Sequence, residues 1–155
     1  MLELMELLRG SPDDRGLRTA ALLRRSHPFD KELQLAGLLH DIGRLLRLSD
    51  GTVTVGVAAE AIRPLLGGRV ARLVRLSGAL VSVDGGAGSD AEAVATLHHA
   101  RDSAAAADLD AGVLEDWRPL LDLVAAGACR VGPARNALDP LGAPRGSRRS
   151  VRGLP

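Results

Sequence analysis

The chain has 155 residues with a formal net charge of +1 at pH 7, and its residues are 46% hydrophobic but only 1% aromatic. This length predicts one domain with a core of aliphatic side chains, and the near-neutral charge argues against a specific nucleic-acid partner. No apolar run reaches about 18 residues, which predicts no membrane span, and the lone Cys129 favours a reducing, cytoplasmic setting. The basic residues are almost all arginine, which favours a bacterial origin.

Apolar spacing and helix-end signals predict a series of helices along the chain. They cover residues 2–9, 12–25, 31–48, 55–66, 69–81, 89–106 and 111–126. Gly10 ends the first helix, Ser11 begins the second and Asp30 caps the third. The third helix is the most apolar, so we expect it at the centre of the fold. The predicted fold class is all-α, an antiparallel bundle of five to seven helices.

The composition changes after Gly127. Residues 128–155 contain six arginines against one acid, Asp139, and four of the prolines. Such a segment cannot bury enough apolar surface to offset the entropy of ordering it. We therefore predict a helical domain over residues 1–127, followed by a basic, disordered tail over residues 128–155 that is dispensable for folding.

A His-Asp doublet, His40-Asp41, lies inside the third predicted helix. A charged aspartate in a buried helix is costly unless it is paired or bound to a metal. Adjacent residues on a helix point about 100° apart, so both side chains can converge only on something between them, such as a metal ion. The doublet alone is equally compatible with a metal site and with two side chains bonded to other groups at the helix border.

The segment DKELQLAGLLHDIGRLL, which contains the doublet, resembles the HD superfamily of metal-dependent phosphohydrolases. Within that superfamily it is most similar to the small iron-dependent oxygenase branch, which includes myo-inositol oxygenase and the dioxygenase that cleaves 2-amino-1-hydroxyethylphosphonate. The resemblance extends over about residues 1–125 through GLRTAALLRR, VAAEAIRPLLGGRVARLVRL and LHHARDSAAAADL. It implies an HD-domain-like helical bundle and, in active members, two metals bound by four histidines and two aspartates.

The chain departs from that pattern at most ligand positions. The resemblance retains His40 and Asp41, but the other positions fall on Arg15, near Thr54, near Ser77 and on Arg101. A one-residue shift would restore Asp102 as a ligand. We expect a vestigial metal site in which Arg15, Arg101 or both neutralise a buried Asp41 in place of the metals. The alternative is that both arginines point to solvent. In the first case Asp41 matters more for stability than His40.

The resemblance therefore implies an HD-domain protein with a degenerate metal site, without catalytic activity and without a cofactor. Such a pseudoenzyme would act as a binding or regulatory module for a protein partner or for a small phosphate or phosphonate anion held by Arg15 and Arg101. The alternative is an active phosphohydrolase or phosphonate-type iron oxygenase. That enzyme would use iron, manganese or another divalent metal at a reduced site around His40, Asp41 and Asp102.

Overall fold

The computed structural model describes residues 1–49, 53–78, 88–107 and 109–131, and these ranges contain helices and no strand. The elements are α1 (Leu2–Arg9), α2 (Arg15–Ser26), α3 (Lys31–Leu39), α4 (Ile42–Ser49), α5 (Val55–Leu66), α6 (Gly68–Gly78), α7 (Ser89–Ala106), a 3₁₀ turn (Leu114–Trp117) and α8 (Arg118–Val131). The predicted all-α helical bundle is confirmed. Most of the predicted tail, residues 132–155, and the predicted helical residues 79–81 lie outside the described ranges.

Local side chains set the boundaries of two helices. Asp30 caps α3 as predicted, because its carboxylate accepts the backbone N–H of Leu33 at 3.0 Å. Ser11 does not begin a helix. Its hydroxyl instead donates to the carbonyl of Asp13 at 2.8 Å, so the chain turns there and α2 starts at Arg15. At the other end of the fold, α8 continues to Val131, beyond the predicted domain boundary at residue 127.

Helix α3 lies at the centre of the bundle, as its apolar sequence predicts. Residues 33–39 are all buried, and the helix contacts α2, α6, α7 and α8. The contact with α2 is close because glycine occurs on both helices. A Cβ added to Gly16 would lie 2.5 Å from the carbonyl oxygen of Leu38, and one added to Gly37 would lie 2.6 Å from Cδ1 of Leu23. This approach fixes the position of the C-terminal end of α3, which leads directly into His40.

The predicted helix over residues 31–48 is divided into two helices by the doublet. Helix α3 ends at Leu39 and α4 begins at Ile42, so His40 and Asp41 form the junction. The carbonyl of Asp41 accepts the N–H groups of Arg44 at 2.9 Å and of Leu45 at 3.2 Å, so it begins the first turn of α4. After the junction, α4 packs on α1 and α5. The doublet therefore lies between the central helix α3 and the helix α4, which packs on α1 and α5.

Trp117 links α2 to the start of α8. Its ring is buried in the core, and the guanidinium of Arg24 lies 4.5 Å from the ring centroid. This geometry is a cation–π contact. Over the part of the chain that the structure describes, no helix combines the length and the apolar character needed to cross a membrane.

Candidate functional site

His40 is the buried member of the doublet, with 7% of its surface exposed. Its Nδ1 lies 2.7 Å from the carbonyl oxygen of Gly37. A carbonyl oxygen only accepts hydrogen bonds, so Nδ1 carries a proton and donates it. Burial lowers the pKa of His40 below its usual value, and the positive charge of nearby Arg101 acts in the same direction. The ring is therefore neutral at pH 7 and held in one orientation.

Asp41 is paired with Arg44, a residue outside the predicted ligand positions. Its carboxylate is one-third exposed, and Oδ2 lies 3.4 Å from Nη1 of Arg44. Nη2 of the same guanidinium donates to Asp13 at 3.1 Å, so Arg44 bridges two carboxylates. The sequence predicted a buried Asp41 with Arg15 or Arg101 as its partner. The i, i+3 spacing of Asp41 and Arg44 on a helix was the available signal for the observed pair.

The two arginines at former ligand positions lie in different surroundings. The side chain of Arg15 is 62% exposed, and its Nε lies 3.6 Å from Asp13. Arg101 is less exposed, donates to the carbonyl of Ser77 at 3.4 Å and lies 4.0 Å from Asp102. Asp41 thus pairs with Arg44, and not with Arg15, Arg101 or both as the sequence predicted. Arg101 lies on the side of His40, whereas Arg15 extends toward solvent.

The remaining positions of the predicted ligand set are occupied by groups with other bonds. The hydroxyl of Thr54 accepts the N–H of Val57 at the start of α5, and the buried hydroxyl of Ser77 donates to the carbonyl of Val74 at 2.9 Å. Asp102 is 78% exposed beside Arg101. Within the described ranges, no group of three or more His, Cys, Asp or Glu side chains is placed to hold a metal ion. The donors at these positions do not fit a two-metal centre.

Val55 fills the space between α4 and α6 next to these positions. A Cβ added to Gly43 would lie 2.9 Å from Cγ2 of Val55, and one added to Gly78 would lie 2.5 Å from its Cγ1. The two glycines thus admit the valine side chain between the helices. Val55 follows Thr54 in the sequence and lies against Gly78, which follows Ser77. An aliphatic side chain, which cannot bind a cation, therefore lies close to two of the ligand positions that the resemblance implies.

A cleft of about 410 Å³ opens beside Asp41, between α1, the start of α2, the α3–α4 junction and the segment before the 3₁₀ turn. Its apolar lining includes Leu8, Leu17, Leu38, Leu45, Val113 and Leu114. Its charged lining consists of four carboxylates, those of Asp13, Asp14, Asp41 and Glu115, and one guanidinium, that of Arg9. Neither Arg15 nor Arg101 lines it. Arg44 contacts Asp13 and Asp41, and Arg15 also contacts Asp13, so the four carboxylates exceed their neighbouring guanidiniums by one charge. This small excess of negative charge favours cationic over anionic ligands.

Comparisons with known proteins find no matching family model, no similar curated protein and no similar solved structure. The resemblance to the HD superfamily therefore remains an interpretation of the sequence.

Proposed function

We propose that this chain is an HD-like helical domain without catalytic activity, which acts as a binding module for a protein partner. The observation that carries the proposal is the ion pair between Asp41 and Arg44. A metal bound by the doublet would need the carboxylate that this guanidinium contacts.

The groups around the doublet support the same proposal. A divalent metal of the kind used in hydrolysis or oxygen activation usually needs three or more protein ligands in a fixed geometry. The hydroxyls of Thr54 and Ser77 bond to the backbone, and Val55 lies between α4 and α6. The phosphohydrolase or phosphonate-type oxygenase alternative depends on Asp102, whose side chain is largely exposed beside Arg101.

The charge of the cleft supports a protein partner over a small phosphate or phosphonate. A small anion held by Arg15 and Arg101 would need both side chains to reach one point. Arg15 instead pairs with Asp13, and Arg101 bonds to the carbonyl of Ser77. The cleft beside Asp41 instead combines an aliphatic floor with a carboxylate rim. Such a surface suits a segment that carries cationic and apolar side chains.

Elemental analysis of the full chain tests the proposal, with protein produced in excess iron and manganese and assayed for phosphatase activity and oxygen uptake with phosphonates. We expect a metal content well below one per chain and no activity. His40→Gln and Asp102→Asn are the informative variants, because the enzyme alternative requires both side chains as ligands. About one tightly held metal per chain that both variants abolish would overturn the proposal.

A further inference from the structure

We infer that the arginine-rich segment over residues 145–154 of this same chain binds the cleft beside Asp41. This inference goes beyond the proposed function, because it holds whether or not the doublet binds a metal. It rests on the charge of the cleft, its apolar floor and the distance from the end of α8.

The rim of the cleft offers carboxylates that a new guanidinium can reach. Asp14 is exposed at the mouth and forms no side-chain cap bond to α2. Asp13 and Asp41 share one arginine, Arg44, through contacts of 3.1 and 3.4 Å, and Asp13 also lies 3.6 Å from Arg15. These are partly exposed, single-point ion pairs of small net free energy, so a further arginine can add to them or exchange with them.

The floor of the cleft accepts an aliphatic side chain. Leu38 and Leu45 are buried at its base, and Leu17 is half-buried at its side. At the rim, the side chain of Val113 is 56% exposed next to the acidic Glu115. A ligand that matches this surface carries positive charges a few residues away from small apolar groups.

Residues 145–154 have that composition. The sequence RGSRRSVRGL contains four arginines, two aliphatic residues (Val151 and Leu154) and no acid. The carboxylates at the rim can bind the arginines of the segment, and the apolar floor can bind Val151 or Leu154. Each arginine can form a bidentate contact with a carboxylate.

The connection between α8 and the segment is long enough to reach the cleft. Helix α8 starts directly after the 3₁₀ turn whose first residues line the cleft, and its 14 residues extend over about 21 Å. From Val131 to Arg145 the chain has 14 more residues, which span at most about 50 Å. A tether of this kind gives an effective concentration on the order of millimolar, so weak contacts suffice for binding.

Paramagnetic relaxation enhancement in the full chain tests the inference. A nitroxide label is attached at Val113→Cys, at the cleft, in a Cys129→Ser background that removes the exposed native thiol. We expect the amide signals of residues 145–154 to lose most of their intensity. The matched control is Val57→Cys on α5, which is 58% exposed and does not line the cleft. Equal effects from both labels, or none from the label at position 113, would overturn the inference.

Charge variants and mixing experiments sharpen the test. Asp14→Lys should restore the signals that the label at position 113 removes, whereas Glu60→Lys, the same charge change on the exposed surface of α5, should not. Raising the salt from 0.1 M to 1 M shortens the Debye length from about 10 Å to about 3 Å and should also restore them. Signal loss only between separately labelled molecules in a mixed sample would contradict binding within one chain. None of these outcomes depends on the metal content that tests the proposed function.

Discussion

Arg69 of α6 donates two parallel hydrogen bonds to Asp30, the residue that caps α3, at 2.6 and 2.7 Å. The same guanidinium also contacts Glu32 at 3.1 Å. The hydrogen bond from Arg69 lowers the pKa of Asp30, so the carboxylate stays ionised in moderately acidic solution. The Asp30 carboxylate thus caps the start of the central helix and joins that helix to α6.

We expect Asp30→Ala to lower the free energy of unfolding by about 2–3 kcal/mol. The estimate combines the loss of a helix cap with the loss of charge-assisted hydrogen bonds, since both groups are mostly buried. Asp30→Asn keeps the cap and should lose about half as much. Urea titrations measure both, with Glu60→Gln as the control for an exposed ion pair, which should change stability by less than about 0.5 kcal/mol. An effect of Asp30→Ala as small as the control would contradict a structural role for the pair.

Stability should fall as the pH drops below about 6.5 because of His40. Burial lowers the pKa of His40 in the folded state, so the unfolded chain binds a proton at a pH where the folded protein does not. This difference favours unfolding between the unfolded-state pKa and the lower folded-state pKa. Thermal unfolding followed across this range should show the slope in the wild type and a flatter profile for His40→Gln. The same slope in both proteins would show that other groups cause it.

The structure reverses the order of importance that the sequence predicts for the doublet. His40 fills space in the core and donates to the carbonyl of Gly37, so His40→Ala should cost about 2–3 kcal/mol. Asp41 is one-third exposed in a surface ion pair, so Asp41→Ala should cost less than about 1 kcal/mol. Chemical denaturation of both variants decides the order. A larger loss for Asp41→Ala would favour the original prediction of a buried, charge-neutralised aspartate.

Alanine at Gly16 should destabilise the protein by about 1–3 kcal/mol, because its Cβ would lie 2.5 Å from the backbone carbonyl of Leu38 and α2 would have to move away from α3. Gly127 provides the matched control. It lies in α8 with no atom within 4 Å of an added Cβ, so Gly127→Ala should stabilise by up to about 1 kcal/mol through helix propensity. Melting temperatures that shift in the same direction for both variants would contradict the close contact.

The helices could be located from the sequence because each carries its own local signals. Apolar spacing identified α5 and a helix-start signal identified α7, both with their observed limits, and Asp30 was identified as a cap. The division at the doublet could not be predicted in this way. Residues 31–48 are apolar on several faces and contain no proline, so nothing local distinguishes one long helix from two. The break depends on α4 packing against α1 and α5, which is a tertiary contact.

Ion pairs between residues close in sequence could likewise be predicted, whereas ion pairs between distant residues could not. Arg44 lies three residues after Asp41, so its pairing follows from helix spacing and could have been predicted. Arg69 and Asp30 are 39 residues apart, and nothing in the sequence distinguishes Arg69 from the other arginines of this chain. The acidic cleft was missed for a similar reason, because its carboxylates come from segments that meet only in the folded chain.

Trp117 is an intrinsic fluorescence probe of one position in the fold. The chain has one tryptophan and no tyrosine, so its intrinsic fluorescence comes from a single position, where Arg24 of α2 covers the ring at the start of α8. Circular dichroism in the far ultraviolet, by contrast, averages over all the helices. Coincident unfolding curves from the two methods would indicate one cooperative transition. A fluorescence change that comes first would identify α8 and its preceding turn as the part of the bundle that detaches at the lowest free energy.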